Sequence, residues 1–254
     1  MPKTYLVVPD QHAHPDHDNG RADLLARLTI DVRPDVVVNL GDAADMPSLA
    51  SYEKGKRSFH GKSYRKDIDS HLEFQSRWWD PVRARKKKLP HRVVLEGNHE
   101  ERIERALDLS PELEGTIGFR DLNFEEYYDD VIRYDGGTPG TVTLDGVLFS
   151  HYLVSGVLGR PVGGLHPAAS LLAKGHGSTV VGHTHILDYA VQTDSRGRKL
   201  HGVVAGVYSD YPFDWAGVVN RLYWRGVVIL NDVEDGNFDP EFVSIERLKR
   251  IYND

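Results

Sequence analysis

Cysteine is absent from the 254 residues, which excludes disulfides, thiolate metal ligands and a cysteine nucleophile. Any metal this chain holds is held by oxygen and imidazole. No apolar run reaches membrane length, and Met1-Pro2-Lys3 leads straight into a strand-like stretch ending at Pro9-Asp10, with no secretory signal pattern. A cytoplasmic protein without membrane association or an obligate protein partner is expected. Positive charge is also in short supply: the formal balance of −7 argues against a global electrostatic grip on nucleic acid. No linker rich in proline, glycine or serine, no repeat and no low-complexity segment divides the chain, so residues 1–254 are expected to form one domain.

What is present is a series of short apolar runs, each followed by a polar cluster. Tyr5-Leu6-Val7-Val8 precedes Asp10-Gln11-His12, Val36-Val37-Val38 precedes Gly41-Asp42, and Arg92-Val93-Val94-Leu95 precedes Gly97-Asn98-His99-Glu100. Val147-Leu148-Phe149 precedes Ser150-His151, and Thr179-Val180-Val181 precedes Gly182-His183-Thr184-His185. The runs have the β-branched and aromatic character of buried strands. In an open α/β sheet ligands bind beyond the carboxyl ends of the strands, so clusters scattered in sequence can converge on one crevice.

The first half alternates strand and helix, with a helix through residues 21–28, a strand from Asp35 to Leu40 and a longer helical stretch from about Asp67. This grammar implies a mainly parallel sheet, with Ile68, Leu72, Phe74, Trp78 and Trp79 packed on it. A helix is expected directly after Gly97. From Val131 the runs 131–134, 141–144 and 147–149 are separated by glycine and aspartate turns, as in antiparallel hairpins. Later runs at 187–192, 200–207 and 222–230 suggest a second sheet. The expected fold is a four-layer α/β/β/α sandwich, two mixed β-sheets flanked by helices, with small cap elements at 52–70 and 110–128.

Asp10 and His12 lie two apart, so on a persisting strand they leave the same face about 7 Å apart and can close on one ion. His183 and His185 repeat that spacing. Asp42 follows a glycine turn, and a carboxylate can bridge two cations; Asn98 offers a neutral amide oxygen. Each has a plain alternative: Asp42 and Asn98 suit helix caps, and His151 alone suits a hydrogen-bonded structural role. Together Asp10, His12, Asp42, Asn98, His151, His183 and His185 form an oxygen and imidazole set suited to two divalent ions, Mn foremost, with Fe, Zn, Co or Ni admitted. Such a pair, roughly 3.5–4 Å apart, would activate a bridging hydroxide for in-line attack on a phosphate ester.

The ordered set Asp-x-His, Gly-Asp, Gly-Asn-His-Glu, His and Gly-His-x-His, spanning residues 10 to 185, resembles the calcineurin-like metallophosphoesterase superfamily. The resemblance implies a metallophosphoesterase-like fold with Asp10, His12, Asp42 and His185 on one ion. Asp42, Asn98, His151 and His183 would hold the other. It further implies that His99 stays free of metal and protonates the leaving group, with Asp45 orienting it. Where phosphoprotein phosphatases of that superfamily continue with Arg-Gly, this chain has Met46-Pro47, which disfavours phosphomonoester and phosphoprotein substrates. Arg102 is a candidate replacement clamp, against the plainer reading of an exposed helix arginine, and His14 adds an imidazole.

The basic, aromatic stretch from Lys54 to Lys66, with Lys56, Arg57, Phe59 and Tyr64, has the composition of a phosphate-tracking, base-stacking loop as much as of a solvated one. The leading expectation is a phosphodiesterase acting on nucleotide, cyclic-nucleotide or nucleic-acid diesters. The alternatives are a DNA or RNA nuclease, a phosphomonoesterase or protein phosphatase, and a non-catalytic metal-binding scaffold.

Overall fold

The structure, a computed structural model, describes residues 1–156 and 159–252. Strand β1 (Lys3–Val8) leads through helix α1 (Arg21–Val32) to β2 (Val36–Asn39), and helix α2 (Tyr64–Arg85) leads on to β3 (His91–Leu95). These strands run parallel, with Val7 opposite Val38 and Val38 opposite Val93. Both faces are covered, so the runs are continuously apolar rather than alternating. Period two still sorts the side chains: Tyr5, Val7, Val36, Val38 and Leu95 enter the core between the sheets, whereas Leu6, Val8, Val37 and Val94 meet the helices. On that helical side the Trp78 and Trp79 rings stack at 4.4 Å, and the Trp78 indole N–H donates to Thr29 Oγ1 at 3.0 Å, tying α2 to α1. Satisfying the indole's one donor lets so large a ring be fully buried.

Helices α3 (Arg102–Leu109) and α4 (Phe124–Tyr127) precede β4 (Asp130–Ile132). The sequence suggests that 131–134 opens a run of hairpins; instead β4 pairs parallel with β3 at the edge of the first sheet. A helical crossover that returns to the same sheet delivers its strand parallel. The hairpin begins one element later, between β5 (Thr141–Leu144) and β6 (Val147–Ser150), where Asp145 and Gly146 both take positive φ, 43° and 83°. That pair of angles matches the right-handed twist of the strands it joins.

After the small ribbon of β7 (Val154–Ser155) and β8 (Arg160–Pro161) come helix α5 (Pro167–Gly175) and strands β9 (Thr179–Val181), β10 (Leu187–Thr193) and β11 (Lys199–Ala205). The second sheet has the order β10-β11-β9-β6-β5, with β9 parallel to both neighbours. Helix α5 covers its outer face through Leu171, against Val181 and Val204. The last strand anticipated for this sheet goes elsewhere. Leu222 closes an irregular helical turn, and β12 (Gly226–Glu234) with β13 (Asn237–Ser244) joins the first sheet, antiparallel to β1. There its side chains sort by period two: Val228 and Leu230 enter the core between the sheets while Val227 and Ile229 meet the helices. The first sheet is thus β13-β12-β1-β2-β3-β4, and α6 (Ile245–Tyr252) closes the described chain against α1.

The result is a mixed α/β architecture of two large mixed sheets flanked by helices. Of the stretch 52–70, residues 64–70 belong to α2, and Ser51–Glu53 and Arg57–Phe59 form short 3-10 turns at the surface. Between 110 and 128, Leu122, Phe124, Tyr127 and Tyr128 are buried in the helical layer.

Candidate metal centre

The loops leaving β1, β2 and β3 of the first sheet meet those leaving β6 and β9 of the second. Asp10, His12, Asp42 and His185 bring one ligand atom each within 4.8 Å of one another, and so do Asp42, His151 and His183. Asp42 belongs to both groups. His12 Nε2 and His185 Nε2 face each other at 3.1 Å, and Asn98 Oδ1 lies 3.0 Å from His151 Nε2. Most of these side chains are fully or almost fully buried; His183 and Asn98 are half-buried.

The convergence does not use strand geometry. β1 ends at Val8, and Asp10 and His12 turn into the left-handed region with φ of 31° and 45°; Asp42, His183 and His185 do the same at 49°, 68° and 62°. The two-residue spacing therefore works through left-handed turns and not through one face of a persisting strand. Such conformations cost of order 1–3 kcal/mol each and persist only where the surroundings enforce them. At Asp42 the enforcement comes from Glu100. It is fully buried, its Oε2 accepts from the N–H of Asp42 at 3.0 Å and of Gly97 at 2.8 Å, and its Oε1 accepts from Ala44 N–H at 2.8 Å, clamping the β2 and β3 loops together. Arg21, also buried, reaches back from α1 to the carbonyls of Gln11 and His12. Two glycines are sterically required: a Cβ at Gly97 would collide with Asp42, and one at Gly182 would lie 2.6 Å from Asp10 Oδ2. The α3 helix expected directly after Gly97 starts instead at Arg102, because residues 98–101 turn to present Asn98 and His99.

Burial opposes ionisation of Asp42, but His151, His99 and His12 around it outweigh burial and hold the carboxyl well below its ordinary range. Asp10 is pushed up to about 7 by burial despite His151 beside it. Burial pushes His183 down to about 4 and His185 well below its usual value, so both are neutral imidazoles. His185 Nδ1 is buried without a hydrogen-bond partner. Asp42, ionised and common to both groups, and the His12 and His185 ring nitrogens aimed at one point suit a divalent cation. The buried His and Asp groups could therefore hold metal ions, as a metal-dependent hydrolase requires.

Asp45 lies beside this set and serves two histidines. Its Oδ1 is 2.8 Å from His12 Nδ1 and 3.1 Å from His99 Nδ1, while its main-chain carbonyl accepts from His99 Nδ1 at 2.7 Å. Burial raises its pKa, and the His12 and His99 contacts reverse that, keeping the carboxyl well below the usual range. His99 Nε2 points inward, 3.8 Å from Asp42 Oδ2. Arg102 is not the free surface arginine of the plainer reading: Nη2 lies 2.9 Å from His99 Nε2, and Nη1 donates to the Asp45 carbonyl at 2.9 Å. His14 Nε2 is 3.6 Å from Asp45 Oδ2. Lys56 lines a cavity with His99 and Arg102, whereas Arg57 is exposed and does not line it. Met46 is fully buried in the helical-side core.

Sequence reasoning placed no role on Glu100 or Arg21. Glu100 sits inside a recognised cluster, and only its neighbours in space reveal three backbone donors converging on it. Arg21 opens an amphipathic helix and has no sequence signal for burial.

No protein-family model matches the chain, and no curated protein matches it. Among solved structures, TT1561 of Thermus thermophilus aligns over 95% of this chain and 99% of its own at 11% identity with a TM-score of 0.36. A second crystal structure aligns over the same shares at 12% identity with a TM-score of 0.38. Likenesses this distant carry no argument about function. Among the described residues no helix is long and apolar enough to cross a membrane.

Proposed function

We infer that this chain is a phosphodiesterase dependent on two divalent cations, of the metallophosphoesterase kind its motifs resemble. The observation that carries the reading is the pair of ligand groups sharing Asp42, with His99 3.8 Å from that carboxylate and hydrogen-bonded to Asp45. Asp10, His12, Asp42 and His185 would hold one cation, and Asp42, Asn98, His151 and His183 the other. When bound, the cations supply Lewis-acid stabilisation of charge on the phosphoryl oxygens.

The remaining work falls to this chain's own side chains. His99 keeps Nδ1–H on the Asp45 carbonyl, which aims Nε2 at the reacting group; with Arg102 drawn onto the phosphate, Nε2 carries a proton to the departing alkoxide. Asp45 holds both His12 and His99, so one carboxylate sets the angle of a ligand and of the proton donor. Arg102 lies one side chain from His99 and offers a planar, bidentate partner for non-bridging oxygens. Met46, its side chain buried in the helical-side core, cannot clamp a terminal phosphate, which favours a diester over a monoester. Nucleotides, cyclic nucleotides and nucleic-acid ends are the candidate diesters.

The test is to strip the protein of metal, restore Mn²⁺, and compare bis(p-nitrophenyl) phosphate with p-nitrophenyl phosphate. Dominant diester turnover, lost in His99→Ala with metal still bound, is expected. Turnover of neither ester by metal-loaded protein would sink the enzyme reading and leave a metal-binding scaffold. Preference for the monoester would sink the diesterase reading.

A further inference from the structure

Beside His99 the structure holds a cavity of about 680 Å³, lined by His99 and Arg102 together with Tyr52, Lys56, Ser58 and Trp215. Its two aromatic walls come from separate loops: Tyr52 from the 3-10 turn after β2, and Trp215 from the irregular helical stretch Asp214–Leu222 before β12. Each ring is 51% exposed, an unusual state for groups that bury 150–250 Å² when they find a partner. Each also has neighbours that restrain it, two cations that share the cavity lining for Tyr52 and two rings for Trp215. Arg102 and Lys56 lie 5.7 and 5.8 Å from the Tyr52 ring centre, and Phe213 and His185 lie 5.4 and 6.0 Å from the ring of Trp215. One cavity therefore brings groups suited to phosphate, Arg102 and His99, together with two half-exposed aromatic rings.

We propose that this cavity seats the nucleobase of a nucleotide substrate, flanked by Tyr52 and Trp215, with its phosphate at Arg102 and His99. The proposal rests on the phosphodiesterase reading for the phosphate end only; the aromatic end stands on the cavity itself. A heteroaromatic base is the occupant that uses both features. Its π-face matches the rings, and its edge can meet the Ser58 hydroxyl and the carboxylates of Glu53 and Asp214, which also line the cavity. The volume lies within the ordinary range for a small-molecule site. An alkyl ester would leave both rings wet, and an unpartnered phosphate would leave them unused.

Calorimetry on the Mn²⁺-loaded protein tests this without requiring turnover. Adenosine 5′-monophosphate is expected to bind at least about tenfold more tightly than ribose 5-phosphate, the scale of one stacked base. In Trp215→Ala and in Tyr52→Leu the gap between the two ligands is expected to collapse to about twofold or less. Both side chains are half-exposed, so the variants should fold, and circular dichroism checks that they do. Equal affinity for the two ligands in the unaltered protein, or a gap that survives in both variants, overturns the proposal. The aryl-ester assay above reports separately: a base-dependent gap with no ester turnover keeps the base site and removes the phosphodiesterase reading, and turnover with no gap does the reverse.

Discussion

The floor of the crevice and its rim are built on opposite principles. On the floor, Asp10, His12, Asp42, His151 and His185 are at most 3% exposed, and the loops after β1, β2 and β3 are fastened by Arg21 and Glu100 through buried hydrogen bonds to main chain. On the rim, Tyr52 and Trp215 are 51% exposed and rest on neighbouring rings and cations. The floor contains groups that are costly to bury singly and are tolerable only because each partners the next. Under the proposed function the fixed floor would perform the chemistry and the rim would select what reaches it.

The sharpest way to break this contrast is Asp45→Asn on the floor. It removes the charge shared by His12 and His99 while preserving shape, and diester kcat should fall by about 10²–10⁴, read by steady-state kinetics. A fall of less than tenfold would mean that Asp45 is a packing residue. Next in size is a stability effect beneath the floor. His71 is fully buried against the Leu122 carbonyl, and burial pushes its imidazole from 6.5 down to about 4. Below pH 6.5 the unfolded chain gains a proton that the folded chain refuses until about pH 4. The contribution is therefore complete above pH 6.5 and is lost through that window, by roughly 3 kcal/mol. Urea unfolding between pH 7 and 4 should show this slope, shallower in His71→Gln; an unchanged slope would remove His71 as its source.

Smaller again is Glu100→Gln. One carboxylate oxygen becomes an NH₂ group facing backbone N–H donors, so metal affinity should drop by about 10–100-fold, measured by equilibrium dialysis. The rim supplies the smallest effects. Lys56→Ala should raise the nucleotide KM about two- to threefold, the scale of one exposed charge, and Arg57→Ala should leave it unchanged. Equal effects from both lysine and arginine would show a diffuse basic field in place of a lined cavity.

Legibility followed the same division. The strand-end clusters were readable because short apolar runs mark buried strands, and Asp, Asn and His behind them are costly unless partnered. The hairpin at Asp145-Gly146 was readable from its dipeptide. The parallel placement of β4 was not, since a three-residue strand looks the same in either direction and only the crossover decides. Nor was the return of β12 and β13 to the first sheet, because alternating valines and leucines fit either sheet equally well. Arg102 was ambiguous for a related reason: helical spacing puts it near His99 in sequence but does not say which way its guanidinium turns.

By itself the sequence determined the chemistry on offer. Without cysteine, any metal must be bound by oxygen and imidazole, and Asp10, His12, Asp42, Asn98, His151, His183 and His185 stand in order behind strands as candidate donors. Tertiary structure decided how the groups meet: left-handed turns rather than strand faces, Glu100 as the clamp, Asp45 between two histidines, and Tyr52 and Trp215 in the lining of one cavity. The physical reason is the range of the determinants. Strand period and residue type act over a few positions, whereas the enforcement of strained turns and the pairing of distant loops depend on contacts such as Glu100 to Asp42 and Arg21 to His12, which exist only once both sheets have closed.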